Sequence, residues 1–397
     1  MPGRTIAIAG GGIAGLASAA LLAREGEQII VFDRMDAPAP IGSGLILQPV
    51  GLAALDQIGA GNRMRALGAP IERLFGRVRP SNRVVLDVRY RALGGKAGQG
   101  LAVHRGALFE ALLEAAVTAG AELVPGREVV AASDRRLSFA DGTTSVRFDL
   151  VVDALGVKSP LAGHSAPPLP FGALWGNLNW AGKPFDEAAL EQRYEAARKM
   201  VGILPIGSVR TGAVKQASFF WSLKHSDAAA WRAQDLDAWK QQVLQLWPQT
   251  APFLDQISDR EQMIFASYSH RTLSSPLKTG LAHVGDSWHS ASPQLGQGAN
   301  MALLDALALS RALGAHREVS TAMEAYARSR LAHIRLYQLA SWLFTPAYQS
   351  ESLVVAWMRD WFLSPISRVW PGQGTLAALI AGSIGSPLAA IEAIGDG

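Results

Sequence analysis

Six residues near the start, Gly10-Gly11-Gly12-Ile13-Ala14-Gly15, constrain this chain more than any other feature. They follow a short apolar run, Thr5-Ile6-Ala7-Ile8-Ala9, and precede a run from Leu16 to Glu25 that reads as a helix. A second apolar run, Gln28-Ile29-Ile30-Val31-Phe32, ends at Asp33. Strand, glycine turn, helix and strand in that order predict a βαβ unit. Gly10 permits the tight turn, Gly12 lets backbone approach a pyrophosphate, and Gly15 lets helix and strand pack closely. With Ile13 and Ala14 between them, these residues set phosphates on the free amides and positive dipole end of the helix. Asp33 lies eighteen residues after Gly15, where it would accept hydrogen bonds from ribose hydroxyls. Arg34, and Gly44 in the Gly- and Pro-rich loop from Ala37 to Gly51, are further candidates for the same ligand. A turn of this kind serves NAD as readily as FAD.

Composition narrows the chemistry. The chain has no cysteine, so disulfides, thiolate zinc sites, iron–sulfur clusters and cysteine nucleophiles are excluded, and redox chemistry must come from a bound cofactor. A formal net charge of +4 with no basic run argues against nucleic acid as a partner. The apolar stretch from Ile13 to Ala23 follows a glycine turn and lacks a cleavage site, so a cytoplasmic protein is expected.

A chain of 397 residues has room for two domains. The segment from Ile71 to Tyr90 alternates, with Val84, Leu86 and Val88 on one face, as an antiparallel strand does. A helix is expected over Arg105–Ala119, a hairpin at Asp141-Gly142, a strand over Phe148–Val152 and a long helix over Ala299–Leu313. Between Pro167 and Gln262 aromatics become dense, including Trp175, Trp180, Phe219, Phe220 and Trp221. The expected fold is α/β: a discontinuous Rossmann-type dinucleotide domain (1–70, 98–166 and 263–340) with an inserted α+β substrate domain (71–97 and 167–262). A helical C-terminal extension (341–397) completes it.

A second constellation selects the cofactor. Gly285-Asp286-Ser287-Trp288-His289 runs on through Pro293 and the turn Gly296-Gln297-Gly298-Ala299-Asn300, after a strand and into a helix. It resembles the Gly-Asp segment of the flavoprotein aromatic hydroxylases, the family of para-hydroxybenzoate hydroxylase. That resemblance implies that Asp286 holds the ribityl chain of FAD and that Pro293 and Gly296 to Asn300 lie beside the isoalloxazine ring. The residues themselves agree: a carboxylate suits a polyol, and a helix start suits the negative charge of a reduced flavin. His289 reads as a support for this loop. His104-Arg105-Gly106 is similar to the family's arginine at a helix start, and Arg105 would reach FAD from the side; an arginine there is equally a solvated surface charge.

One stretch departs from the pattern. The family places an acid where Leu155 stands in Asp153-Ala154-Leu155-Gly156-Val157-Lys158-Ser159. Asp153 and Gly156 are expected to substitute in part toward FAD, and the change bears on how nicotinamide reduces the flavin. The Trp-x-Trp-x-Ile-Pro signature of flavin halogenases is absent. No second strand–glycine–helix unit follows, since Gly94 to Gly100 lack the strand, which fits a transient visit by NADH or NADPH.

The resemblance implies a monooxygenase in which NADH or NADPH reduces FAD, oxygen adds as a flavin C4a-hydroperoxide, and one oxygen atom passes to an aromatic or polyenic small molecule. No side chain stands out as a catalytic base. Phe219 and Trp221 share a strand face, and with Trp175 and Pro293 they are candidates to line the substrate pocket. The same stripe serves equally as a domain core. Two alternatives stand beside this reading: a reductase or dehydrogenase on the same scaffold, and a non-catalytic FAD-binding protein. The apolar tail from Leu376 to Gly385 is shorter than the ~20 residues of a membrane span. It is expected to pack on the body or on a partner subunit, in a monomer or homodimer. Attachment to a membrane surface is disfavoured because its flanks lack a basic face.

Overall fold

The computed structural model describes residues 3–36, 42–94, 99–163, 166–366, 369 and 371–394. Parts of the loop from Ala37 and of the Gly94–Gly100 stretch lie outside the described residues.

Two sheets organise the chain. The strands are β1 (Thr5–Ala9), β2 (Gln28–Phe32), β3 (Arg73–Arg79), β4 (Arg83–Arg89), β5 (Glu122–Val124), β6 (Leu150–Asp153), β7 (Phe171–Asn179), β8 (Ala189–Glu195), β9 (Lys199–Gly207), β10 (Gln216–Lys224), β11 (Ile264–Ala266), β12 (Leu277–Lys278) and β13 (Leu281–His283). The first sheet runs β12-β13-β6-β1-β2-β5 and is parallel except at its β12 edge. Its central strands β1, β6 and β13 are buried on both faces, as a covered parallel sheet requires. Helix α1 (Ile13–Arg24) is buried along nearly its whole length between this sheet and two further helices, α2 (Arg105–Thr118) and α3 (Gly298–Ala315). Its Ala-rich sequence allows that close approach.

Register decides where ligands can bind. Ala9 lies beside both Phe32 and Asp153, and Asp153 beside His283. Four parallel strands therefore end along one edge, and Gly10, Asp33, Ala154 and Val284 leave the sheet together there. The crevice beyond the carboxyl ends of such strands is the binding edge of an open α/β sheet.

The second sheet, β11-β7-β10-β9-β8-β3-β4, is antiparallel except for the β8–β3 pair. Alternation sorts its residues cleanly. Leu174, Val201, Ile203, Phe219 and Trp221 form a core with Trp239, Val243 and Trp247, on or just beyond helix α4 (Leu236–Leu246). Trp175, Phe220, Met200 and Tyr194 occupy the other face.

The helical end differs from expectation. Helix α5 (Val319–Tyr348) runs unbroken through residue 341, so the C-terminal part begins within a helix and not at a loop. After it, α6 (Leu353–Met358), a π-helical turn (Arg359–Leu363) and α7 (Gly372–Ile380) follow. Segment α7 packs on β4, and its Ala377 and Ile380 join the main core, so the apolar tail lies on the body of the protein. No helix among the described residues is long and apolar enough to cross a membrane.

Candidate active site

The glycine turn has the geometry its sequence demands. Gly10 has φ +105°, and a Cβ there would lie 2.5 Å from the Ala154 carbonyl oxygen. A Cβ on Gly15 would lie 1.8 Å from the Gly10 carbonyl oxygen, so helix and strand touch backbone to backbone. Gly12 is different: it is exposed, and a Cβ there would meet nothing within 4 Å. The space above it opens onto the first-turn amides of Ile13, Ala14 and Gly15, which have no intrahelical partner. The Asp33 carboxylate accepts hydrogen bonds from the Gly11 amide at 2.7 Å and the Met35 amide at 2.9 Å, which fixes it beside the turn. Arg34 is exposed just beyond.

The second constellation meets the first directly. Gly285 has φ +61°, and a Cβ there would lie 3.1 Å from Cβ of Ala14. The loop is held from below by Asp305, on α3. This fully buried carboxylate accepts hydrogen bonds from the Gly285 amide (2.8 Å) and from Arg330 Nε (2.8 Å), and pairs with His289 Nε2 (2.6 Å). Burial works against the charged form of Asp305, but His289 and Arg330 outweigh it and hold the carboxyl below its ordinary range. His289 is thus a support for the loop. Neither Asp305 nor Arg330 stood out in the sequence; Asp305 is the one acid in a largely apolar helix, and Arg330 is one of several charged residues on α5.

Asp286 lies at the end of this pinned loop. Its side chain is accessible from the cleft, and among the described residues it makes no hydrogen bond to protein. Surrounding protein atoms desolvate it and push its carboxyl up, while the positive field of His289, Arg105 and Arg271 pulls the other way. Arg105 occupies the facing wall, packed against Gly42, where a Cβ would lie 3.2 Å from a guanidinium nitrogen. Desolvation lowers its pKa, and Asp286 and Tyr268 oppose that shift. Pro293 and Gly298 are exposed, Gly296 and Ala299 half-buried, and Gly298 opens α3 with free space above it.

Several predicted contacts have protein partners of their own. Asp153 is fully buried, and it accepts from the Leu155 amide (3.0 Å) and Ser159 Oγ (2.5 Å) and pairs with His283 Nδ1 (2.8 Å). It braces the strand end and does not face the cleft. Asn300 is equally enclosed: its Oδ1 accepts from the Gln48 amide, and its Nδ2 donates to the Ile46 and Gly296 carbonyls. Gly44 must be glycine because of Ile206, whose Cγ2 would lie 2.2 Å from a Cβ there. Gly156, at φ +75°, accepts from Arg271, which also binds the Asp286 and Ser287 carbonyls and so ties the two loops together.

On the substrate side, Phe219 and Trp221 point into the core under α4 and away from the cleft. Trp175 lies on the opposite face and tilts against Phe220, with ring centroids 4.6 Å apart. Its indole donates to Tyr268 Oη at 2.6 Å, and burial raises the Tyr268 phenol well above its ordinary pKa. Asn177, two residues along the same face, contacts His104 Nε2 at 3.0 Å and accepts from Ser43 Oγ at 2.6 Å. His104 Nδ1 in turn accepts from the Gly106 amide and caps α2, and burial lowers its pKa. Asn177 was missed in the sequence, although the two-residue alternation of β7 puts it on the face of Trp175. Tyr268, Ser43 and His104 come from distant segments, and no local pattern marks them.

The site thus offers an open helix N-terminus for a diphosphate, a deep accessible carboxylate for a polyol, a facing arginine and a second open helix start. Those groups match the parts of FAD. A family model described as an FAD-binding domain matches residues 4–338. This chain belongs to the FAD-binding-domain family. The flavoprotein is 28% identical over 370 residues to the FAD-dependent monooxygenase pynG of Aspergillus niger, covering 82% of this chain and 83% of that protein. It is 25% identical over 407 residues to 2-heptyl-3-hydroxy-4(1H)-quinolone synthase of Pseudomonas aeruginosa, covering 94% of this chain and all (100%) of that one. The crystal structure of Klebsiella pneumoniae HpxO complexed with FAD and uric acid shares its fold, with a TM-score of 0.78 at 20% identity over 97% of this chain and 99% of that one.

Proposed function

We propose that this flavoprotein is an FAD-dependent monooxygenase that uses NADH or NADPH and O2 to hydroxylate a small aromatic molecule. Per turnover, substrate, O2, NAD(P)H and a proton give hydroxylated product, water and NAD(P)+. Bound FAD supplies the redox chemistry: it accepts hydride from the nicotinamide and activates oxygen.

The chain's own residues bind, orient and shield. The amides after Gly12 and the dipole of α1 hold the diphosphate, Asp33 the ribose, and Asp286 the ribityl hydroxyls, with Arg105 on the opposite wall. The start of α3 at Gly298 presents amides to negative charge at the ring. Trp175 and Tyr268 offer the aromatic wall that a planar substrate packs against, backed by the buried Phe220, and Asn177 and His104 offer polar atoms that orient it.

The observation that carries this reading is Asp286, a carboxylate open to the cleft, under the positive field of Arg105 and Arg271, that makes no side-chain hydrogen bond among the described residues. The relatives named as monooxygenase or quinolone synthase support the oxygen-inserting reading, and a cytoplasmic monomer or homodimer is the setting it supposes. Leu155, in the position where the family carries an acid, favours a second reading, a reductase on the same scaffold. Turnover of an aromatic substrate panel under 18O-labelled oxygen tests the two. Label in the product supports the monooxygenase; NAD(P)H-dependent reduction of substrate without label assigns the reductase.

A further inference from the structure

The back of the C-terminal helices carries an apolar face that the described chain leaves uncovered. On α5, Leu339, Trp342 and Leu343 point outward, with Trp342 64% exposed. On α6 and the π-helical turn, which pack on α5, Trp357 is 53%, Trp361 54% and Phe362 52% exposed. A run of exposed large side chains on adjoining helices marks an interaction surface.

The charges around this face say what it meets. Arg335 lies on the same stripe of α5 as Leu339 and Trp342, at helical spacings of four and seven residues, and is exposed. Arg83, from β4, stacks over the Trp361 ring with its guanidinium 3.4 Å from the centroid. Neither arginine makes a salt bridge among the described residues. The acids nearby are already engaged: Glu351 pairs with Lys224, and Asp360 with the buried Arg359. The face is therefore apolar and aromatic with a net positive rim. Arg83 reaches this face from a strand far away in sequence.

We propose that this face docks on an anionic lipid surface. Tryptophan rings suit the boundary between headgroup and acyl chain, and arginines above them meet lipid phosphates and carboxylates. A second copy fits less well: face to face, it would bury Arg335 and Arg83 against apolar side chains with no acid to pair them, which is costly. The inference does not rest on the reaction proposed for the cleft.

The test is flotation of the FAD-loaded full chain with vesicles of phosphatidylcholine, with and without phosphatidylserine. The protein is expected to float with the phosphatidylserine vesicles and to be released by salt. Arg335→Gln and Arg83→Gln should each weaken partition about fivefold, and Trp357→Ser with Phe362→Ser should abolish it. An unchanged flavin spectrum and thermal midpoint in these variants would show that the fold is intact. Protein that stays at the bottom with either vesicle overturns the proposal. So does equal flotation on both vesicles, or a dimer in sedimentation velocity that the Trp357→Ser/Phe362→Ser variant dissociates.

Discussion

Replacing Gly12 by leucine should separate cofactor binding from folding. The Gly12 backbone is extended (φ −80°, ψ −169°), a conformation open to any residue, and a Cβ there meets nothing within 4 Å. Apoprotein stability should therefore stay within about 0.5 kcal/mol of the parent. The leucine would instead fill the space over the first-turn amides of α1. Losing two charge-assisted hydrogen bonds there costs roughly 4 kcal/mol, or about a thousandfold in the Kd for FAD. Gly15→Ala is the opposite case. Its Cβ would sit 1.8 Å from the Gly10 carbonyl oxygen, and no rotamer change relieves a clash between two backbone segments. Overpacking costs about 3 kcal/mol, of which better helix propensity returns about 1, so a net loss of about 2 kcal/mol is expected. Urea denaturation of both apoproteins, with FAD titration followed by flavin fluorescence, measures each quantity. If Gly12→Leu binds FAD like the parent, the diphosphate does not lie on α1.

Asp153→Ala should destabilise the fold by about 3 kcal/mol, because Ser159, His283 and the Leu155 amide lose their buried acceptor. Unchanged stability with lost FAD binding would instead make Asp153 a cofactor ligand. His333 is pushed down to about 3, first by burial and then by Arg330, so it stays neutral in the fold while the unfolded chain protonates it near 6.5. Its contribution is intact above pH 6.5 and is lost as pH falls toward 3, by about 2 kcal/mol between pH 6.5 and 5. His333→Gln should remove that part of the slope in denaturation curves, and an identical slope would refute it. Tyr268→Phe deletes the acceptor of the Trp175 indole. It should raise substrate KM several-fold with little change in kcat, and an unaltered KM would take Trp175 out of the substrate wall.

What could be read from the sequence followed from locality. The glycine turn and the Gly-Asp segment are legible because each packs its chemistry into one short run, and backbone geometry dictates its glycines. Pattern alone could say that Phe219 and Trp221 share a face, but not that this face is covered by α4 and Trp239. Asp153 and Asn300 have the right chemistry for a ligand, yet both are occupied by protein groups, which only the folded chain shows. Asp305 with Arg330, Tyr268 with Trp175, and Arg83 with Trp361 each join segments far apart in sequence. Their partners are set by tertiary packing, so single-chain periodicity carries no trace of them. No loop marks the expected edge at residue 341, because α5 continues through it, with Pro346 accommodated in its last turn.

A single flavin gripped at two ends, the diphosphate by α1 and the ribityl chain by Asp286, is the central claim. Titrating the apoprotein of Asp286→Leu with ADP, riboflavin and FAD tests this most directly. ADP should bind as it does to the parent, while riboflavin and FAD should weaken by about tenfold or more. Riboflavin bound as tightly as by the parent would contradict the account.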